Sequence, residues 1–429
     1  MQFPRFLLAH QRFPSFRIND IRGEVQRQLD QSGFASGLKP GSRIAIGVGS
    51  RGIANLAEIV IAAVDWWKGQ GMKPFLFPAM GSHGAGTASG QAAVLAKYGL
   101  TQQSAGCPVI SSLSVVELGV TAEGIPTYLD RAAARSDGIM LVSRVKWHTS
   151  FEGPLESGLY KMMAIGLGKL AGAKLYHTHA YKLGMNAMIQ SVGRKILQTG
   201  KILGGLAIVE DANHETARLA AVPVNEMAAS EAKLLEQAKA WMPRIPLKHL
   251  DILIIDEIGK TISGAGMDPK IINRGANGEQ HNWYPAPLIE RIFVRDLRHD
   301  SYGNAIGIGM ADVTHSRLVK KMKKRATWVN ALTASSPGVV KLPVYFPTDR
   351  QCLEEMATTV GKFDPMDLRI AWIRNTLELG TLAVTENLAD ELRETPYIEL
   401  EKPAQELQWD TENNLVSWLG SREEAATIS

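Results

Sequence analysis

Between Trp147 and His179 the sequence carries His148, the run Ser157-Gly158-Leu159-Tyr160-Lys161, then Gly166, His177 and His179. Three imidazoles and one attachable amine thus lie in a single short stretch. A further imidazole, His83, stands upstream in Gly81-Ser82-His83-Gly84, on what reads as another strand-to-helix loop. Imidazole titrates near neutrality, so it can take a proton, give one, or bind a metal. A lysine held deprotonated is a nucleophile that can carry a covalently attached group. Isolated histidines are usually structural, but an ordered set facing one cleft makes a reaction site.

The elements that must position these residues follow from the hydrophobic pattern. Strands are expected over 43–48, 74–79, 138–145 and 204–210, and helices over 55–68, 87–97, 155–176, 186–198 and 224–241. This is the βαβ rhythm of a parallel sheet, in which the loops at the strand ends carry the chemistry. Met242-Pro243-Arg244-Ile245-Pro246 breaks the last helix, and a strand over 251–256 opens a second α/β domain with strand-like runs at 289–294, 339–345 and 368–373. After about residue 397 the pattern fades, and 421–429 reads as a frayed polar tail. The expected fold is two α/β domains with mostly parallel sheets and an active-site cleft between them. The first spans 1–245 and holds catalysis and cofactor, with the 397–429 tail packing back on it; the second, 246–396, closes over the cleft.

A chain of 429 residues with 45% hydrophobic composition suffices for two cores. The +4 formal charge, 47 basic against 43 acidic residues, is too small to imply a nucleic-acid partner. The basic run Lys320-Lys321-Met322-Lys323-Lys324-Arg325 continues the helical pattern begun at His315 and reads as a solvated helix face. Cys107 and Cys352 lie far apart without CxxC spacing, which fits a reducing compartment and no disulfide framework. No signal peptide or membrane span is read, and a cytoplasmic location is expected.

Two motifs attract attention and are discounted. Gly47-Val48-Gly49-Ser50-Arg51-Gly52 has the dinucleotide-binding spacing between a strand and a helix. However, Met72-Lys73-Pro74-Phe75-Leu76-Phe77-Pro78 offers no acidic residue for a ribose, which counts against ordinary NAD. The glycines then cradle a mononucleotide phosphate or make a tight turn. Gly259-Lys260-Thr261 looks like the end of a P-loop, but Ile254 occupies the position of the required earlier glycine. Lys260, Lys270 and Arg274 nonetheless share a glycine-bearing loop, where ligand-facing residues tend to lie.

The order Arg51, His83, His148, Ser157-Gly158-Leu159-Tyr160-Lys161, Gly166, His177 resembles the signature of the nickel-pincer nucleotide-dependent lactate racemase family. The resemblance implies a racemase or epimerase of a 2-hydroxy acid, lactate-like or larger, working by reversible hydride transfer from C2. It implies a nickel-carrying pyridinium-3,5-bisthiocarboxylic acid mononucleotide joined through a thioamide to Lys161, with Gly49, Ser50, Ser157 and Gly158 at the cofactor. His177 then takes the open nickel position, where neutral imidazole is suitable. His83 and His148 are the implied acid–base pair, Arg51 holds the substrate carboxylate, and Lys260 is the second cation. The partners implied are a small-molecule substrate and cofactor-making enzymes.

Local spacing leaves rivals to two of these roles. Lys169 and Lys174 compete with Lys161, and His179 competes with His177, from which it diverges by about 200° on a helix. The gap from His148 to Lys161 is longer than in lactate enzymes and contains Pro154, and Val48 replaces the Asp that normally precedes the arginine. These departures point to an acid other than lactate. Alternative readings are an NAD(P)-dependent 2-hydroxy acid dehydrogenase, or a non-catalytic carboxylate- or nucleotide-binding protein of the same fold.

Overall fold

The structure, a computed structural model, describes residues 1–49, 52–275, 278–283, 285–333 and 335–419. By contacts the chain divides into Pro14–Met242 and a second unit that joins Met1–Phe13 to Pro243–Ser429. The first strand, β1 (Phe6–Gln11), belongs to the latter unit.

In Pro14–Met242 the strands are β2 (Arg43–Val48), β3 (Lys73–Pro78), β4 (Val115–Val120), β5 (Pro126–Asp130), β6 (Gly138–Arg144), β7 (Ile202–Glu210) and β8 (Thr216–Pro223). They form a sheet of order β3-β2-β6-β7-β8 and a separate antiparallel pair β4-β5. The larger sheet is parallel except at β8. Its central strands are nearly continuous apolar runs because helices cover both faces. Successive residues of β6 show this: Ile139 and Leu141 enter one core with Phe75, Phe77 and Tyr176, while Met140 and Val142 enter the opposite core with Ile44, Ile46 and Trp67.

The helix expected over 155–176 is three pieces: a turn at Leu159–Lys161, a π-turn at Met162–Gly166, and a helix at Lys169–Leu183. The π-turn is visible in the Leu167 N–H, which reaches back to the Met162 carbonyl at 2.9 Å. The long helix begins at Lys169, whose φ of +54° marks the break from the π-turn.

The second unit continues with β9 (His249–Ile258), β10 (Leu288–Leu297), β11 (Val313–His315), β12 (Val344–Phe346), β13 (Ile370–Ile373), β14 (Thr381–Thr385) and β15 (Ile398–Gln405). Its sheet order is β12-β11-β10-β9-β13-β14-β1-β15. The half from β12 to β13 is parallel, and β14, β1 and β15 are antiparallel. Each unit is therefore a mixed α/β layer structure around a mostly parallel sheet core.

Several elements differ from expectation. The strand read at 339–345 is a 3₁₀ turn, Pro337–Val340, followed by the short β12, because Pro337 and Gly338 favour a turn. The basic helix face is split: one helix ends at Lys321, Met322 is extended at ψ 122°, and Lys324–Thr333 begins anew. The segment after 397 is no faded tail but β15, paired with β1 in the eight-stranded sheet. The stretch 421–429 lies outside the described residues. Among the described residues, no helix is long and apolar enough to cross a membrane.

Candidate functional site

Parallel strands aim their carboxyl ends the same way, and β2, β3 and β6 deliver three loops to one edge. The chain steps from β2 to β3 on one side and later places β6 on the other, so the crevice of a switching sheet lies at the ends of β2 and β6. The loops there carry the glycine run, His83 and His148.

The glycine run after β2 is clamped from three sides. Gly52 N–H donates to Tyr98 Oη at 2.7 Å, the Gly52 carbonyl accepts from Arg144 at 2.9 Å, and Ala54 N–H donates to Glu210 Oε1 at 2.8 Å. A Cβ at Gly49 would stand 3.2 Å from Met162 Cε, so this loop abuts the residue following Lys161. Ser50 and Arg51 lie outside the described residues.

His83 sits in a loop bent by Gly81, Gly84, Ala85 and Gly86, all at positive φ. Gly81 shows why only glycine serves, since a Cβ there would lie 2.8 Å from Ile165 Cγ2 in the π-turn. The loop hangs on a buried polar hub. Gln91 Nε2 donates to the carbonyls of Gly81 (2.9 Å) and His83 (3.4 Å), and Lys169 Nζ donates to Gln91 Oε1 (3.0 Å) and the Pro78 carbonyl (2.7 Å). Lys169 also faces Asp130 at 3.6 Å, and neither side chain is more than 1% exposed. Burial pushes the Lys169 amine down and the Asp130 carboxyl up, each opposed by the charge of its partner.

His148 rides on a closed excursion from the end of β6. Lys146 and Ser157 form an antiparallel bridge at its base, with N···O distances of 3.0 and 3.3 Å. Inside it, Glu156 is fully buried and accepts from His148 N–H (2.6 Å), Gly153 N–H (3.4 Å) and Lys239 Nζ (2.7 Å). The extra residues between His148 and Lys161 thus make an ordered loop. That loop delivers Phe151, which sequence reasoning missed. The Phe151 ring lies 4.1 Å from the His148 ring, and Lys161 Nζ stands 5.9 Å from its centroid. An aromatic residue in a polar loop carries no periodic signal, so only its place between two expected site residues exposes it.

Lys161 follows a glycine whose reason is structural. A Cβ at Gly158 would lie 2.5 Å from Glu231 Oε1, whose carboxylate accepts from Tyr160 N–H at 3.0 Å. Burial pushes the Glu231 carboxyl up to about 7, against hydrogen bonds from Tyr160 and Leu159. Gly166 is likewise required by close approach, since a Cβ there would meet the Ala79 carbonyl at 2.7 Å. His177 lies on the Lys169–Leu183 helix, where burial first and the Lys161 charge second hold its imidazole below the ordinary range. It is therefore near enough to Lys161 to feel its charge. His179 lies on the same half-buried stretch.

His148, Phe151, Lys161 and His177 are thus linked in one neighbourhood, and the His83 and Gly49 loops abut the π-turn that follows Lys161. Lys174 is exposed, and Lys169 is occupied by the hub. Lys260 belongs to the other unit, where its amine bonds Asn330 Oδ1 and its N–H donates to Ser301 Oγ at 2.8 Å. In that unit Lys270 is buried with its amine 3.5 Å from the Trp283 ring centroid, and Arg274 is buried against Asp312 at 2.7 Å. Both are packed into the unit's interior. Cys107 and Cys352 are free and buried, and burial pushes the Cys352 thiol up to about 12, so it stays protonated.

No family model and no curated protein matches the chain. Among solved structures it is similar to the lactate racemase apoprotein from Thermoanaerobacterium thermosaccharolyticum, with TM-score 0.52 and 13% identity over 86% of this chain and 98% of that one. A protein from Thermotoga maritima gives TM-score 0.49 and 11% identity over 82% of this chain and 95% of that one. The fold is accordingly that of a mixed α/β protein of lactate racemase-like architecture.

Proposed function

We propose that this protein is a racemase or epimerase of a 2-hydroxy acid that works with a nickel-pincer pyridinium mononucleotide carried on Lys161. The observation that carries the reading is the grouping of Lys161 with His177, Phe151 and His148. The donor set fits such a group. Among the described residues no set of three or more His, Cys, Asp or Glu side chains stands ready to hold a metal ion. A metal that came already bound within an organic nucleotide would need few donors from the chain, and the His177 imidazole, held below its ordinary range by burial and the Lys161 charge, would be one. Lys161 is favoured over Lys169 because the latter's amine is spent on Pro78, Gln91 and Asp130.

When bound, the nucleotide supplies the acceptor for the C2 hydride. The chain's own residues do the rest. The hydroxyl proton must leave to a base, and His83 and His148, on loops from β3 and β6, are the candidates. Arg51 is proposed as a carboxylate cation, the guanidinium offering paired donors. Ser157 and Gly158 precede the turn that bears Lys161, and Gly49 and Ser50 are proposed to meet the nucleotide. A dehydrogenase reading lacks support, because β3 ends without an acidic residue to hold a ribose.

The test is intact-mass spectrometry with metal analysis on protein produced alongside the cofactor-making enzymes, wild type against Lys161→Ala. The expected result is a covalent adduct of pincer-nucleotide mass with nickel in equal proportion, both lost in the variant. Wild type carrying neither, while a lactate racemase prepared in parallel carries both, overturns the proposal.

A further inference from the structure

We infer that Glu231 is a positioning residue for Lys161, capping from another helix the turn that carries it. Lys161 is the third residue of the turn Leu159–Lys161, which opens at Gly158 with no side-chain cap of its own. The first turn of a helix leaves its leading N–H groups unpaired, and three residues do not hold that conformation unaided. The missing acceptor comes from the helix Met227–Trp241, where Glu231 Oε2 takes the Tyr160 N–H at 3.0 Å, 71 residues away in sequence. A serine or aspartate at the cap position would offer its oxygen to this part of the turn. Glu231 is fully buried, and its other oxygen, Oε1, has no hydrogen-bond partner among the described residues. That oxygen lies 2.5 Å from where a Gly158 Cβ would stand. The glycine and the glutamate therefore work as one device, because a local cap does not fit beside the distant one.

The consequence for the site rests on the proposed function. A lysine side chain is a flexible four-carbon stem, so a group tethered through it is rooted only as firmly as the backbone beneath. Glu231 holds that root on one side. On the other, Gly166 packs against the Ala79 carbonyl and holds the π-turn that follows. The Glu231 hydrogen bond is to the main chain, so it acts on the place of the lysine and not on the chemistry of the amine. Protonated or ionised, a carboxyl keeps an oxygen that accepts, so the cap persists although burial pushes this group up to about 7.

The experiment is competitive acylation of the full-length protein with acetic anhydride, made without the cofactor-making enzymes and read by peptide mass spectrometry. The exposed Lys39 and Lys97 serve as internal references for the half-buried Lys161. In Glu231→Ala the Lys161 rate is expected to rise about two- to fivefold towards the references, the range that loss of one cap produces. Glu231→Gln keeps an accepting oxygen and is expected to stay at the wild-type rate. Val60→Ala, a truncation in the core on the opposite face of the sheet, controls for lost stability and is expected to leave Lys161 unchanged. An unchanged Lys161 rate in folded Glu231→Ala, an equal rise in Val60→Ala, or a Glu231→Gln variant that behaves like Glu231→Ala overturns the inference. Should Glu231→Ala not fold, Glu231→Asp, one methylene shorter, withdraws the acceptor from Tyr160 and is expected to show the same rise; the wild-type rate there overturns it. The readout needs no cofactor. Absence of a Lys161 adduct therefore overturns the proposed function and leaves this inference standing, whereas unchanged acylation overturns the inference and leaves the adduct test intact.

Discussion

Lys169 and Glu231 are buried titratable groups that the sequence presents as ordinary helix residues, and each organises the surroundings of a site residue. Lys169→Met removes the partner of Asp130 and leaves Gln91 Oε1 and the Pro78 carbonyl unsatisfied. Breaking one side of a buried pair costs about 3–5 kcal/mol, so urea denaturation should show a loss of that order. Adding Asp130→Asn should recover part of it, and faster amide exchange is expected across the His83 loop. Glu231 works with the opposite sign. Its folded pKa is raised from 4.5 to about 7, so the stability linked to its protonated form is full below 4.5 and is lost as pH rises through 7. That difference corresponds to about 3 kcal/mol. Urea melts at pH values below and above this window should show wild type losing stability that Glu231→Gln retains; an equal wild-type-to-variant gap at both ends would refute it.

At the scale of elements, the signature glycines have a packing reason as well as the implied chemical one. Gly158→Ala drives a methyl against the Glu231 carboxylate, and overpacking of this kind costs about 1–3 kcal/mol. Because the obstacle is a single side chain, Gly158→Ala and Glu231→Ala should couple in a double-mutant cycle, the pair costing less than the sum. Additive costs would show that the glycine answers to something else. The same elements show what the sequence reveals. β2 was legible to the residue because Arg43–Val48 is an apolar run between turn signals, and β3, β6 and β7 fell close to their expected ranges, whereas β4, β5, β8 and the helix Ile21–Asp30 were not expected. β15 was not, since Ile398–Gln405 alternates apolar and charged residues along an edge and finds its partner in β1, at the other end of the chain. The π-turn after Lys161 left no trace, because its register depends on Gly166 meeting the Ala79 carbonyl from another loop. Histidines and lysine could be nominated from type and spacing; Phe151, Gln91 and Glu231 acquire meaning only from what lies against them.

For the whole molecule, one unit is an insertion into the other. The chain makes β1, leaves after Phe13 to build Pro14–Met242, and returns at Pro243 to complete the eight-stranded sheet. The inserted unit has its own sheet and two buried cores, and its ends are clasped by Phe16 stacked on Trp241, 4.7 Å apart at 16°. Such a segment has what independent folding requires. The interrupted unit does not survive simple truncation. β1 pairs with β14 on one edge and β15 on the other, with Phe6 and Ala9 at most 1% exposed. A fragment of 243–429 therefore lacks an internal strand, opening two ladder edges and a core vacancy. Residues 14–242 are expected to fold alone, with a cooperative thermal transition. Residues 243–429 are expected to aggregate or melt without cooperativity. Fusing 1–13 to 243–429 through a short glycine–serine linker should restore the transition, since Gln11 Nε2 already reaches the Arg244 carbonyl at 3.1 Å and the gap to be bridged is small. Cooperative folding of 243–429 without β1 would mean that the antiparallel half of the sheet closes around the gap, and that the first strand is an addition to the unit and no part of its framework.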